Sequence, residues 1–431
     1  WGFGHYTIWI VLGNTLVGSL LAWLLLARRT RRVTTELEAI TMPQFLEARY
    51  NSRFLRILAA IVTFVFLVPY SGSVYMGLSY LFESIAGIPY VAALTLMAVL
   101  TGVYLIMGGY FALTLTDFLR GLVEIVGAVV MLVVLVVAAG GLPTVLTRLD
   151  AVQLPGFGAI SLHSSLPVVP DFAGPGWLVL ASLVIVTSVG PWGMPQMVQK
   201  FYSLKSERDA TRAMIVATAF ALLISFCAYM SGALTHLFFT SVPVDPSTGS
   251  PSVDYLMPKL IVDQVPWGIA LVILLLVFSA SMSSLSSLVL VSSSALAVDI
   301  FQEQVKPTPS NRQVVALMRV LCGVFIAASL AIALYRPAFI LSLMVISWGA
   351  IGGSFIAPYV YGLFLPKAGK EVGIASMLVG LGTAIVLYVA WGEPGVPIAG
   401  ALALVVPIIF APILAALTAR QESRVPARRV S

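Results

Sequence analysis

Apolar residues fall in long unbroken blocks along this chain, without the polar face that a soluble helix or a surface strand carries. A helix needs about 20 apolar residues to cross roughly 30 Å of hydrocarbon. Blocks of that kind lie near 7–28, 54–82, 91–107, 112–139, 176–199, 209–239, 267–300, 314–335, 338–365, 371–391 and 399–419, lettered A to K in order. The pattern predicts an all-α integral membrane protein with eleven transmembrane helices. Only Gly108-Gly109 separates C from D, so ten spans is the competing count.

Charge decides between the two counts. Lys and Arg accumulate on the cytoplasmic side of membrane proteins. With eleven spans, 20 of the 24 cations share one face: the Arg28–Arg32 and Arg49–Arg56 groups, Lys200 to Arg212, Lys306 to Arg319, Lys367, Lys370 and the tail from Arg420. Arg148, Lys259 and Arg336 lie on the other face, and Arg120 lies within D. Merging C and D scrambles this separation. The expected orientation places the amino end outside and the basic tail 421–431 in the cytoplasm. A chain that starts outside at Trp1, with no basic leader, is also expected to lack two preceding spans.

Composition agrees and narrows the chemistry. Apolar residues make up 59% of the 431, and charged residues only 10%. A soluble domain carries about a quarter charged residues, so lipid must be the solvent. The net charge of +6 is explained by the positive face, without nucleic acid. Cys227 and Cys322 lie in apolar stretches, and the three histidines form no metal motif. A nucleotide-binding GxxxxGK[ST] loop is absent, as is any nucleophile–base pattern, so an enzyme is not expected. The longest polar connection, about 140–175, is too poor in apolar residues for a separate core.

Polar residues inside the spans point to a transport path, because ionisable groups there are costly. Span D carries Asp117, Arg120 and Glu124, the last two spaced to pair along the helix. Ala280, Ser283, Ser284 and Ser287 in span G share one helical face, with Ser286 at its margin. Small residues allow close helix packing, but Gly and Ala would serve that equally well. Hydroxyls also offer the hard oxygens, at about 2.4 Å, that a sodium ion needs. In span E, Gly190, Pro191, Gly193 and Pro195 weaken the helix deep in the bilayer. Backbone groups freed there can serve cargo, or mark a simple proline kink.

Three motifs carry a resemblance: YLIMGGYFALTLTD at 104–117, GMPQMVQKFYSLKSERDATRA at 193–213, and SASMSSLSSLVLVSSSALAVD at 279–299. In this order the sequence resembles the sodium:solute symporter family, which contains sodium/proline, sodium/pantothenate and sodium/glucose carriers. The resemblance implies a LeuT-type five-plus-five inverted-repeat transporter fold. It divides the chain into a core over 1–365 (second to tenth core helices), two peripheral spans over 366–420, and the tail. The first broken core helix, partner of span E, is then expected upstream of Trp1.

The resemblance also implies site residues. Sodium is the expected coupling ion, with Ala280, Ser283 and Ser284 at the shared site. Asp117, Ser283, Ser286 and Ser287 match a second sodium site of some members, although Arg120 replaces the usual Gln. Tyr70, Ser71, Thr187, Pro191, Trp192 and Trp348 match substrate-pocket positions. Thr187 and Pro191 depart from the aromatics of the proline carrier. The expected function is sodium-coupled symport of a small organic solute (an amino acid, organic acid or similar) into the cell by alternating access. Its expected partners are that solute and membrane lipid, and its expected state is monomeric. A proton-coupled carrier and a symporter-like solute sensor are the alternatives.

Overall fold

The computed structural model describes residues 1–152, 154, 175–202, 204, 207–305, 309–366 and 368–422. Among these, side chains at 106–117, 175, 207–208, 303–304 and 418–422 are left undescribed. Asp117 and the expected turn at Gly108-Gly109 therefore lie outside the described side chains, and 423–431 of the basic tail lies outside the described residues.

Every long element among the described residues is a helix. We number α1 (Gly4–Glu36), α2 (Met42–Tyr50), α3 (Arg53–Ala86), α4 (Tyr90–Leu105), α5 (Phe118–Ala138), α6 (Leu142–Asp150) and α7 (Pro175–Val189). A 3₁₀ turn over Gly190–Gly193 leads into α8 (Pro195–Tyr202). Then follow α9 (Glu207–Ala233), α10 (Leu256–Gln264), α11 (Trp267–Ser294), α12 (Asn311–Tyr335), α13 (Ile340–Phe364) and α14 (Lys370–Glu422). Local chemistry sets several boundaries. Thr41 caps α2 by accepting from the Gln44 amide, with Pro43 in the first turn. Asn51 ends α2 in the left-handed region, and Ser52 caps α3 directly after it. Ser310 and Gln313 form a reciprocal capping box at the start of α12.

Nine helices among the described residues are long and apolar enough to cross a membrane, and Tyr90–Leu105 is a shorter apolar one. The backbone is helical from Tyr90 to Ala138. It cannot be one straight rod, because Arg120 lies 5.0 Å over the Tyr104 ring. Sixteen residues of straight helix would separate them by roughly 24 Å. Leu135 and Ala139 also pack with Leu81 and Ile85, beside the start of α4. The flanks α4 and α5 are thus folded back on one another as two spans. A second fold-back occurs in α14, where Gly392 (φ 61°, ψ −162°) breaks the helix in a conformation that favours glycine. With α4 counted and α14 divided, the eleven apolar segments expected from the sequence are present.

The core centres on α3 and α13. The apolar window of α13 is 67% buried, against 6% for that of Asp209–Phe238. Glycine permits the closest approaches: a Cβ on Gly380 would collide with the Gly353 carbonyl, and one on Gly353 would lie 2.6 Å from the Ala403 carbonyl. Such backbone-to-backbone packing suits lipid, where apolar side chains gain little by turning inward. At the basic end Arg49 donates to the carbonyls of Gly362 (2.8 Å) and Leu365 (2.7 Å), satisfying the last turn of α13.

Candidate functional site

The hydroxyl face of span G lies on α11. Ala280, Ser283, Ser284 and Ser287 are half-buried, whereas Met282, Leu285, Leu288 and Val289 on the same helix are buried in the core. The stripe is therefore held at the edge of the packing, where its oxygens can reach a small guest. Ser286 differs, being buried and donating to the Met282 carbonyl at 2.6 Å. That bond occupies its proton and leaves oxygen lone pairs free to accept or ligate. The side chain of Asp117 is not described, so the proposed second set is represented here by its serines alone.

Three elements meet at the expected substrate residues. The Tyr70 and Trp348 rings contact edge to face, with centroids 5.7 Å apart. Trp348 also lies against Gly190, where the helix of span E breaks. The break itself is pressed onto α13: a Cβ on Gly193 would lie 3.0 Å from the Gly352 carbonyl. Trp192 reaches the other way, donating its indole N–H to the Val17 carbonyl of α1 at 3.2 Å. Tyr70, Trp348, Pro191 and Trp192 are thus assembled around the broken helix. Thr187 is buried but spends its hydroxyl on the Leu183 carbonyl at 2.9 Å. The Ser71 hydroxyl and the Trp348 indole N–H are buried with no protein partner. A polar guest could satisfy both kinds of group.

Ser347, which the sequence did not single out, joins these helices. Pro69 lies inside α3, and just beyond it the hydroxyl of Ser347 enters the helical ladder. It accepts from the Tyr70 amide at 3.1 Å and donates to the Phe66 carbonyl. Tyr70 and Phe66 would otherwise bond each other. Insertion of a side chain into the ladder is an identifiable cause of a kink. The residue preceding Trp348 therefore fixes the backbone that carries Tyr70.

Each end of the bundle holds a buried ion pair. At the basic end, Arg56 donates to Glu47 Oε2 at 2.6 Å and to Asp299 Oδ1 at 3.2 Å. Asp299 is the residue that closes the third motif, and it is fully buried. Thr41 also donates to Asp299 Oδ1, at 2.9 Å. At the opposite end, Arg336 closes α12 in the left-handed region (φ 46°) and lies 3.6 Å above the Tyr90 ring. It donates to Asp245 Oδ2 at 3.3 Å and to Ser247 Oγ at 2.7 Å. Burial works to raise the Asp245 carboxyl, but bonds from Ser247 and Tyr80 with the Arg336 charge hold it below its usual value.

Nearby, Asp254 accepts from the Ile340 amide at 3.1 Å and Glu393 accepts from the Phe339 amide at 3.0 Å. Two carboxyls thereby cover the start of α13, where the helix dipole favours negative charge. Burial pushes the Asp254 carboxyl up to about 6. The Ile340 amide opposes that rise, while the charges of Glu393 and Asp245 add to it.

Known proteins place this arrangement. The model of the sodium:solute symporter family matches residues 2–380. The osmoregulated proline transporter OpuE of Bacillus subtilis is 26% identical over 89% of this chain and 75% of its own length. A sodium/proline symporter of Haemophilus influenzae is 28% identical over 89% of this chain and 74% of its own. The sodium/pantothenate symporter of the same organism is 24% identical, covering 88% and 73%. Among solved structures, a Na+-coupled sialic acid symporter in a substrate-bound outward-open state aligns with a TM-score of 0.69. It covers 95% of this chain and 87% of its own at 20% identity, and gives the chain the LeuT-type helical fold. Because the family match runs through the hydroxyl helix, the broken helix and α13 alike, this protein belongs to the sodium:solute symporter family, multi-pass plasma-membrane carriers that couple a small solute to sodium and are not enzymes.

Proposed function

We propose that the protein takes up a small organic solute, such as an amino acid or organic acid, driven by sodium moving inward through alternating access. The observation that carries this reading is the half-buried stripe of small residues on α11, Ala280 with the hydroxyls of Ser283, Ser284 and Ser287. Ala280, Ser283 and Ser284 form the contribution of α11 to the shared ion site, while Ser286, Ser287 and Asp117 with Ser283 form a second. The solute binds between Tyr70, Ser71, Trp348 and the break at Thr187–Trp192, where the Ser71 hydroxyl and the Trp348 indole N–H await a partner. The basic end faces the cytoplasm, in keeping with the distribution of Lys and Arg. Sodium binding favours the outward-open state by an amount equal to its difference in affinity between the two states.

The test is uptake into proteoliposomes at fixed pH, using a panel of labelled amino and organic acids with sodium or potassium outside. At least one solute should accumulate in sodium and not in potassium. Ser283→Ala should reduce sodium-stimulated uptake about tenfold or more, the loss of one hard-oxygen ligand to an ion. Full sodium coupling in Ser283→Ala would remove the site assignment.

A further inference from the structure

A second polar chamber lies at the basic end, between α2, α3, α8 and the end of α11 with its π-helical continuation Ala295–Val305. Thr41, Thr63, Gln199, Tyr202, Ser294 and Asp299 supply its polar lining. It is about 20 Å³, enough for one water-sized guest. Three of its lining residues each carry a buried atom with no hydrogen-bond partner: Thr63 Oγ1, Tyr202 OH and Asp299 Oδ2. Thr63 is 1% exposed and Asp299 0%. Buried polar groups are nearly always satisfied, so three orphans around one cavity mark a ligand's place.

Charge says which ligand. Arg56 is bonded to two carboxylates, Glu47 and Asp299, so these three groups carry one surplus negative charge. Glu47 is partly exposed to solvent, but Asp299 is fully buried and must share Arg56 with it, and a buried, incompletely paired carboxylate is costly unless a counter-ion joins it. Asp299 lines the chamber with Oδ2 unused, while its Oδ1 is held by Arg56 and Thr41. Around it stand hydroxyls and an amide, the hard neutral oxygens that suit an alkali or alkaline-earth cation. A dehydrated sodium ion fits a one-guest chamber, and sodium is the ion this family couples.

We infer that this chamber binds a sodium ion, ligated by Asp299 Oδ2, Thr63 Oγ1 and Tyr202 OH. It is separate from the hydroxyl face: Asp299 lies fifteen residues beyond Ser284, roughly 20 Å along the helix. One helix therefore carries two stations, one beside the broken helix and one at the basic end. Sodium at the inner station neutralises the surplus charge, so its departure leaves the Arg56 cluster under-compensated and favours separation of the elements that cluster joins. The inner station goes beyond the proposed shared site and does not depend on it.

The experiment is equilibrium binding of 22Na+ to the purified full chain, for wild type, Ser283→Ala, Thr63→Val, Tyr202→Phe and Asp299→Asn. Thr63→Val removes the hydroxyl at nearly constant shape and leaves the Arg56–Asp299 pair intact. It should weaken one class of bound sodium about tenfold, and Asp299→Asn should abolish that class. Ser283→Ala should leave it unchanged while losing the shared-site class. If Asp299→Asn does not elute as a folded monodisperse protein, Thr63→Val and Tyr202→Phe decide. Wild-type isotherms in Thr63→Val and Tyr202→Phe would overturn the inference, leaving a water or a proton in the chamber. Wild-type binding in Ser283→Ala alone would instead refute the shared site.

Discussion

The two ends of the bundle use the same pair of residues in opposite ways. At the opposite end the Asp245 carboxylate receives the Ser247 amide, the hydroxyls of Ser247 and Tyr80, and Arg336. At the basic end Arg56 is divided between Glu47 and Asp299, and one oxygen of Asp299 has no partner. A fully satisfied network rigidifies, whereas a partly satisfied one leaves free energy for a ligand to supply. The loop after α9 is thus clipped to the α12–α13 corner by a closed network, while the basic end is joined by one that a cation can complete.

The largest effect should come from removing the arginines. Arg56→Met strands two carboxylates, one of them fully buried, and should destabilise the protein by about 3–5 kcal/mol. Arg336→Met leaves Asp245 its bonds from Ser247 and Tyr80, so its loss should be nearer 1–2 kcal/mol. Thermal unfolding of both variants in one detergent, at one sodium concentration, gives the order directly. An equal or larger drop for Arg336→Met would erase the contrast between the ends.

A smaller effect separates the two aspartates further. Ser247→Ala removes a hydroxyl that both donates to Asp245 and accepts from Arg336. Thr41→Val removes a hydroxyl that donates to Asp299 and accepts from the Gln44 amide as the cap of α2. Each should cost about 1 kcal/mol. Only Thr41→Val should become more destabilising when sodium is replaced by choline, because only its carboxylate shares a chamber with the ion. Identical sodium dependence in the two variants would count against that distinction.

Much of this architecture was legible in the amino acids. Hydropathy marked the spans, and the separation of charges required a fold-back between α4 and α5 even though only two glycines separated them. The contact between Arg120 and Tyr104 is the three-dimensional counterpart of that argument. The α11 stripe and the α7 break were readable because helical spacing and proline chemistry are local. Ser347 was not, since its role depends on meeting Phe66 and Tyr70 across 277 or more positions of sequence. Nor was the Arg56–Asp299 pair, although Asp299 ended a motif. Arg56 read as one more cation of the positive face, and only tertiary packing distinguishes a buried guanidinium from a solvated one. The chamber beside them required four separate elements to converge.

Acid should act on the opposite end through Asp254. Its carboxyl has an ordinary value of 3.8 and is raised to about 6 where it covers the start of α13. The folded protein therefore retains a proton that the unfolded chain releases as pH rises from about 4 to 6, and stability contributed by this group falls across that window. Asp245 works with the reverse sign: its lowered carboxyl stabilises the clip above its ordinary value of 3.8 and loses that contribution only in stronger acid. Between pH 7.5 and pH 5, Asp254 takes up its proton while Asp245 stays ionised, so the clip should tighten. Hydrogen–deuterium exchange of residues 240–266, corrected for the intrinsic pH dependence of exchange, should be slower at pH 5 than at pH 7.5. Asp254→Asn should abolish that difference and exchange slowly at both. Should the variant keep the wild-type pH dependence, the proton belongs to another group, and Glu393, whose carboxylate accepts from the neighbouring Phe339 amide, is the next to substitute.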